Sequence, residues 1–258
     1  MPTELFTAIA GAIASFLSGL LGVGGGIVLT PLLLYAPPLF GVAALPVKTI
    51  TGLTIVQALS ASVIGSLRHH GYGNVSVRLV WIMGPTGAAT SFVGALVSHA
   101  ASDQLLVGIY AAFALLGALF LVLPERGPAR PVDDIAVDAR AAAALAAVIG
   151  FFGGMVGIGA IAFILASLIY LMRVPARIAI GTSLGIGLFS AFAALVGKAA
   201  TAQVDPLLAA TVLGAAVVAS PIGAAVAQRT HPRALMLLLA VVIAISGVRM
   251  AWQAITGS

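Results

Sequence analysis

The sequence predicts an all-α polytopic membrane protein made of two inverted structural repeats, each a glycine-broken first helix followed by three transmembrane helices. Three observations predict it: the hydropathy, a duplication between the halves, and a swap of loop charge from one half to the other. Of the 258 residues 61% are hydrophobic and only 7% are charged, against roughly 25% charged in an ordinary soluble domain. Apolar runs cover 5–39, 47–67, 77–97, 105–123, 141–172, 178–196, 207–227 and 234–252. Most approach or exceed the roughly 20 residues that span hydrocarbon.

The first run is preceded by Glu4 where the basic region of a secretion signal would stand, and its apolar stretch is far longer than a signal's, so it reads as a retained segment. It contains "GLLGVGGGIVLTPLLL", Gly19 to Leu34. A dinucleotide fingerprint needs glycine at the first, third and sixth positions after a strand; counting from Gly22 the sixth residue is Ile27, and no Gly-Lys-Ser/Thr follows. Two readings stay open. Gly22 and Gly26 form a G-x-x-x-G that would let helices approach closely. Each glycine costs about 1 kcal/mol against alanine in a helix interior, so the consecutive Gly24, Gly25 and Gly26 also suit a break in the helix. A break leaves amide N–H groups at the positive end of the second half-helix, which is an anion site.

The second run opens "PVKTITGLT", Pro46 to Thr54. Lys48 is either an interfacial cation reaching headgroups or a source of positive potential for a site. Thr49, Thr51 and Thr54 follow, and Gln57 extends the face that Thr51 and Thr54 share at i, i+3. Such hydroxyls either bond their own helix carbonyls or, facing the glycines, offer donors to an oxyanion; a buried Gln needs partners. "RHHGYGN", Arg68 to Asn74, reads as a solvated loop, because the adjacent His69 and His70 diverge on a helix and no carboxylate is near.

After the third and fourth runs comes "PERGPARPVDDIAVDAR", Pro124 to Arg140, with four of the seven acidic residues. It is the expected cytoplasmic linker, 124–140, between a first repeat at 1–123 and a second at 141–258. In the second half "PARIAIGTS", Pro175 to Ser183, lies over Pro46 to Thr54 at a separation of 129, pairing Lys48 with Arg177 and Gly52 with Gly181. Gly73–Asn74–Val75 falls on Ala202–Gln203–Val204, and "SFVGALV" on "SPIGAAV", at the same separation. Gly22 and Gly24 pair with Gly157 and Gly159 at 135. Thr182 and Ser183 supply the second half's hydroxyls.

Loop charge orients the halves. The loop after the second run carries Arg68 and Arg78 in the first half but only Lys198 in the second, whereas the loop after the third carries Arg229 and Arg233 only in the second half. Opposite orientation needs an odd number of crossings per half, although each half has four runs. The first run of each must then return to its own side, with its glycine turn buried in protein or lining a cavity.

The absent residues exclude other functions. Without cysteine there is no disulfide, iron–sulfur cluster or thiol catalysis. No acidic residue falls inside a run, which argues against a carboxylate-based cation pump, and no G-x-S-x-G or H-E-x-x-H suggests an enzyme. No cofactor or metal is expected. Net charge +5 fits loops beside anionic lipid, with nucleic acid excluded as a partner.

With the glycine turns, matched cations and duplicated half in view, the chain resembles the TauE/SafE sulfite exporter family, also called the 4-toluene sulfonate uptake permease family. The resemblance is carried by "SGLLGVGGGIVLTPLLL" (Ser18 to Leu34), "FGGMVGIGAIAFI" (Phe152 to Ile164) and "ARIAIGTSL" (Ala176 to Leu184), and covers nearly the whole chain. It implies a carrier of small sulfur-containing anions in the bacterial inner membrane, with sulfite and export as the expectations. Uptake of an organosulfonate or other organic anion, or a non-transporting subunit whose glycines serve packing alone, are the alternatives, and a homodimer is compatible with the sequence. The expected substrate site comprises Gly24, Gly25, Gly26, Lys48, Thr49, Thr51, Thr54, Gln57, Gly157, Gly159, Arg177, Gly181, Thr182 and Ser183. Alternating access around this site would move the anion, with proton coupling through the anion's own protonation.

Overall fold

A computed structural model describes residues 1–21, 25–71, 73–123, 138–158, 161–227 and 232–256. Among these residues the chain is all helical: α1 (Thr3–Leu21), α2 (Gly26–Tyr35), α3 (Val47–Gly71), α4 (Val77–Ala100), α5 (Asp103–Val122), α6 (Ala139–Val156), α7 (Ile161–Leu171), α8 (Ala176–Ala200), α9 (Pro206–Ala227) and α10 (Pro232–Thr256). Seven helices, α1, α3, α4, α5, α6, α8 and α9, are long and apolar enough to cross a membrane, while α2 and α7 are shorter apolar helices. The chain is a multi-pass membrane protein. Large apolar side chains such as Trp81, Leu119 and Val218 remain exposed on the outer faces of these helices, as a lipid solvent requires.

The acids that hydropathy excludes from the spans serve as helix starts. Asp138 accepts from the Arg140 and Ala141 amides (2.9 and 3.4 Å). Asp205 Oδ1 accepts from those of Leu207 and Leu208 (2.9 and 3.0 Å), satisfying donors that the first helical turn leaves unpaired. Ser76 and Ser102 do the same for α4 and α5. Asp205 and Ser76 occupy duplicated positions.

Both first runs are interrupted where the glycines predict. α1 stops at Leu21 and α2 starts at Gly26; α6 stops at Val156 and α7 starts at Ile161. Gly22, Gly24 and Gly159 lie outside the described residues, but the breaks' edges are visible. Gly25 caps α2, and Gly157 caps α6 in the left-handed conformation (φ 77°). Each broken run folds back. Phe6 in α1 packs against Phe40 just beyond α2, ring centroids 5.8 Å apart. In the second half the Tyr170 hydroxyl donates to the Leu123 carbonyl (3.1 Å), near the end of α7 and just after α5.

Within α2, Pro31 lacks the amide that would bond the Ile27 carbonyl. The buried Tyr110 of α5 replaces it, its hydroxyl 2.7 Å from Ile27 O and 3.0 Å from Gly26 O. The short helix is thereby tied to α5 at the point where its own ladder fails.

Helix directions follow from contacts between termini. Early α3 meets the end of α8, where a Cβ on Gly52 would strike the Gln203 carbonyl carbon at 2.9 Å. Late α3 meets early α8, with Gly65 beside Leu184. α3 and α8, the duplicated second runs, therefore run antiparallel. The separations of 129 and 135 recur in packing as well: Gly94 of α4 abuts Phe151 and Met155 of α6, and Gly223 of α9 abuts Phe16 and Leu20 of α1. Each half thus lends its first helix to the other half's third run, so neither half buries its faces alone.

Lys198, taken from the sequence as a loop cation, lies in the last turn of α8 and is 0% exposed. It is not a loop residue and drops out of the loop-charge comparison. Its burial is non-local, created by helices that pack over it.

Candidate functional site

The two breaks meet. A Cβ at Gly26 would stand 3.1 Å from the Cα of Ile158, so the start of α2 lies directly against the end of α6. Gly25, Gly26, Gly157 and Ile158 are all buried, which removes the irregular backbone from lipid.

The polar face of α3 runs along these breaks. Gln57, 1% exposed, places its amide against Gly25: the NH2 donates to the Gly25 carbonyl (3.3 Å) and the oxygen accepts from the Ser15 hydroxyl (3.1 Å). Two turns nearer the start of α3, a Cβ on Gly157 would strike the Thr51 carbonyl carbon and the Thr54 hydroxyl, each at 2.8 Å. Thr51, Thr54 and Gln57 thus face the breaks as one stripe. The hydroxyl protons of the two threonines are engaged by their own helix, Thr51 to the Lys48 carbonyl (2.8 Å) and Thr54 to that of Thr51 (3.0 Å). In an apolar interior a nearby backbone carbonyl captures such a proton, so in this arrangement the two hydroxyls present acceptor lone pairs, not the oxyanion donors that the sequence suggested.

One lone pair is taken by Lys198. Its ammonium lies within hydrogen-bonding distance of four acceptors that share its three N–H groups: Thr51 Oγ1 (2.9 Å), Ser98 Oγ (3.0 Å), the Met155 carbonyl (3.0 Å) and Gln203 Oε1 (3.1 Å). The Met155 carbonyl belongs to the last turn of α6, whose carbonyls lose their partners because the helix ends at the break. Gln203 is held by its amide NH2, which donates to the Thr201 hydroxyl (2.7 Å) and the Ala95 carbonyl (3.2 Å). α3, α4, α6 and α8 all converge on this one cation. Sequence reasoning missed it because its neighbours, Ala199, Ala200 and Thr201, read as a span end.

The other expected residues are dispersed. Lys48 Nζ donates to the His99 carbonyl at the end of α4 (2.6 Å). Thr49 is half-buried and Gly181 buried. Thr182 accepts from the Ser76 amide (2.9 Å) at the far end of α3, and Ser183 donates to its own Ile180 carbonyl (2.9 Å). The side chains of Arg177, His69 and His70 lie outside the described residues. Among the described residues no cluster of three metal-ligating side chains occurs. A cavity of about 10 Å³ lies beside Thr30, Ile50, Thr51 and Tyr110, less room than a bound oxyanion needs.

Comparison with known proteins agrees with this architecture. Residues 7–250 match the family model described as "Sulfite exporter TauE/SafE". The chain is 25% identical to "Probable membrane transporter protein YunE" of Bacillus subtilis, over 96% of this chain and 97% of that protein. It is 26% identical to YjnA of the same organism, over 94% and 97%, and 31% identical to a probable membrane transporter protein of Xylella fastidiosa, over 70% and 68%. No solved structure matches the chain. Broken first helices and a match over nearly the whole length lead to one assignment: the chain belongs to the TauE/SafE family of membrane transporters.

Proposed function

We propose that the protein carries a small sulfur-containing oxyanion, sulfite first, out of the cell by alternating access, and that it is a carrier with no catalytic role. The observation that carries this reading is the contact of the two helix breaks, Gly26 against Ile158, along the polar stripe of α3. Half-helices that meet at a buried polar face are how transporter folds bind an ion near the membrane midplane and expose it to one side at a time. The two repeats, 1–123 and 141–258 joined by 124–140, are inverted in this reading. The antiparallel run of α3 and α8 and the return of each broken run to its own side support that.

The substrate site in this reading is the part of the expected set that gathers at the breaks, Gly25, Gly26 and Gly157 with Thr51, Thr54 and Gln57 of α3; Gly24 and Gly159 belong to the expected set and lie outside the described residues. Lys48 and Arg177 act as attractors at opposite mouths. Two copies of the chain associating through their exposed apolar faces would leave this route intact within each copy.

Reconstituted protein tests the reading. Wild-type protein is expected to release sulfite from loaded vesicles, and Lys48→Ala or Arg177→Ala to slow the flux several-fold. Full flux in both variants would remove the attractor role. Single cysteines near His69 and near Thr201 should label from opposite sides of the membrane; labelling from one side would overturn the inverted arrangement.

A further inference from the structure

We infer that Lys198 is the charge partner of the transported anion, and that the site consequently takes oxyanions bearing a single negative charge. This rests on the transport reading above and adds to it a residue and a charge class.

The first observation is a charge with no counter-ion among the described residues. Lys198 is 0% exposed inside a membrane-spanning helix, and all four groups it contacts, Thr51, Ser98, the Met155 carbonyl and Gln203, are neutral. Asp138 and Asp205 are engaged at exposed helix starts, and Glu4 and Asp103 are exposed as well. A buried ammonium without a counter-ion is costly, and inside a membrane such a residue marks an ion or substrate route.

The second observation is position. The ammonium holds the last turn of α6, immediately before Gly157, and the oxygen of Thr51, whose carbonyl packs on Gly157. Any movement of the second break changes the lysine's contacts. An anionic oxygen replacing one of the neutral acceptors would form a charge-assisted hydrogen bond, roughly twice as strong as a neutral one. Substrate arrival and rearrangement of the break are thereby one event.

The third observation is that the polar track does not end there. Ser62, about three turns further along α3, and Ser190, about two turns back along α8, are fully buried with hydroxyls that have no partner. Ser62 faces Gly187 and Ser190 faces Gly87, so both lie on the seams of α8 that lead from Lys198 toward the opposite membrane face. Unpaired buried hydroxyls are rare in folded proteins and suit an oxyanion that passes without stopping.

Charge class follows from the inventory. One ammonium neutralises one negative charge, and a second would be buried without compensation. Hydrogen sulfite and sulfonates fit; sulfate does not.

The test uses purified protein in detergent, with melting measured against methanesulfonate, always singly charged, and sulfate, doubly charged, at matched ionic strength. Wild-type protein is expected to be stabilised by methanesulfonate and to respond to sulfate at least tenfold more weakly. Lys198→Met should melt cooperatively and bind methanesulfonate at least tenfold more weakly, with Lys198→Arg restoring most of the response. Binding by Lys198→Met within threefold of wild type, or equal binding of the two anions by wild type, overturns the inference and leaves the transport reading standing. Wild-type protein that responds to neither anion and moves no labelled sulfite overturns both. If Lys198→Met fails to fold, Ser98→Ala and Gln203→Met replace it. Each leaves the ammonium with fewer neutral acceptors and is expected to tighten methanesulfonate binding several-fold, and unchanged or weaker binding overturns the inference.

Discussion

Gly157→Ala perturbs the second break in two separable ways. The residue sits at φ 77°, and an alanine there carries the left-handed penalty of about 1–2 kcal/mol. Its new methyl group also meets the Thr51 carbonyl carbon and the Thr54 hydroxyl at 2.8 Å, atoms fixed by helix α3. Overpacking against a rigid neighbour costs about 1–3 kcal/mol, so the whole loss is about 2–5 kcal/mol. Gly41 supplies the control: its φ is 65°, and nothing lies within 4 Å of its would-be Cβ. Gly41→Ala should therefore cost only the backbone part. Thermal melting of the detergent-purified variants measures both, and at about 2–4 °C per kcal/mol for a chain of this size the excess loss in Gly157→Ala is several degrees. Equal melting temperatures for the two variants would show that Gly157 does not pack on α3, and the account of the break would fail.

Two further substitutions probe the packing that positions the site. Gly94→Ala and Gly223→Ala place methyl groups against Phe151 and Phe16, with the carbonyl carbon 2.9 Å away in each case, so each should lose about 1–3 kcal/mol; melting curves that differ widely between them would contradict the duplicated packing. Tyr110→Phe leaves the Ile27 carbonyl without a donor and should cost about 1–3 kcal/mol. In a Pro31→Ala background the restored amide reaches that carbonyl, so the same substitution should cost measurably less, and an unchanged cost in the double-mutant cycle would refute the compensation.

Single positions show how far local reasoning carries. The break at Gly157 is legible because three features coincide within a few residues: glycine spacing, an apolar surround and a counterpart 135 positions earlier. Gln57 is legible because a lone amide inside a span must find partners, and it finds Gly25 and Ser15. Thr182 is a different case. Its place in the duplicated motif suggested a site hydroxyl, yet it serves the Ser76 amide. The same position along the chain meets different neighbours in the two halves, since Leu53 stands at the matching place in the first half.

By itself the sequence determined that this chain lives in a membrane, that its first run and the run at 141–172 are broken near their glycines, and that no carboxylate lies in the interior of a span. Those properties are set by residue type and short-range order, because hydrocarbon selects apolar runs and each clustered glycine weakens a helix. Only the tertiary structure decided that the breaks touch, that each half completes the other's packing and that Lys198 is enclosed by α3, α4, α6 and α8. Burial of a cation near a helix end is a property of what packs over it. Its partners, Thr51, Ser98, Met155 and Gln203, come from four separate stretches of the chain, and only folding brings them within hydrogen-bonding distance of one nitrogen.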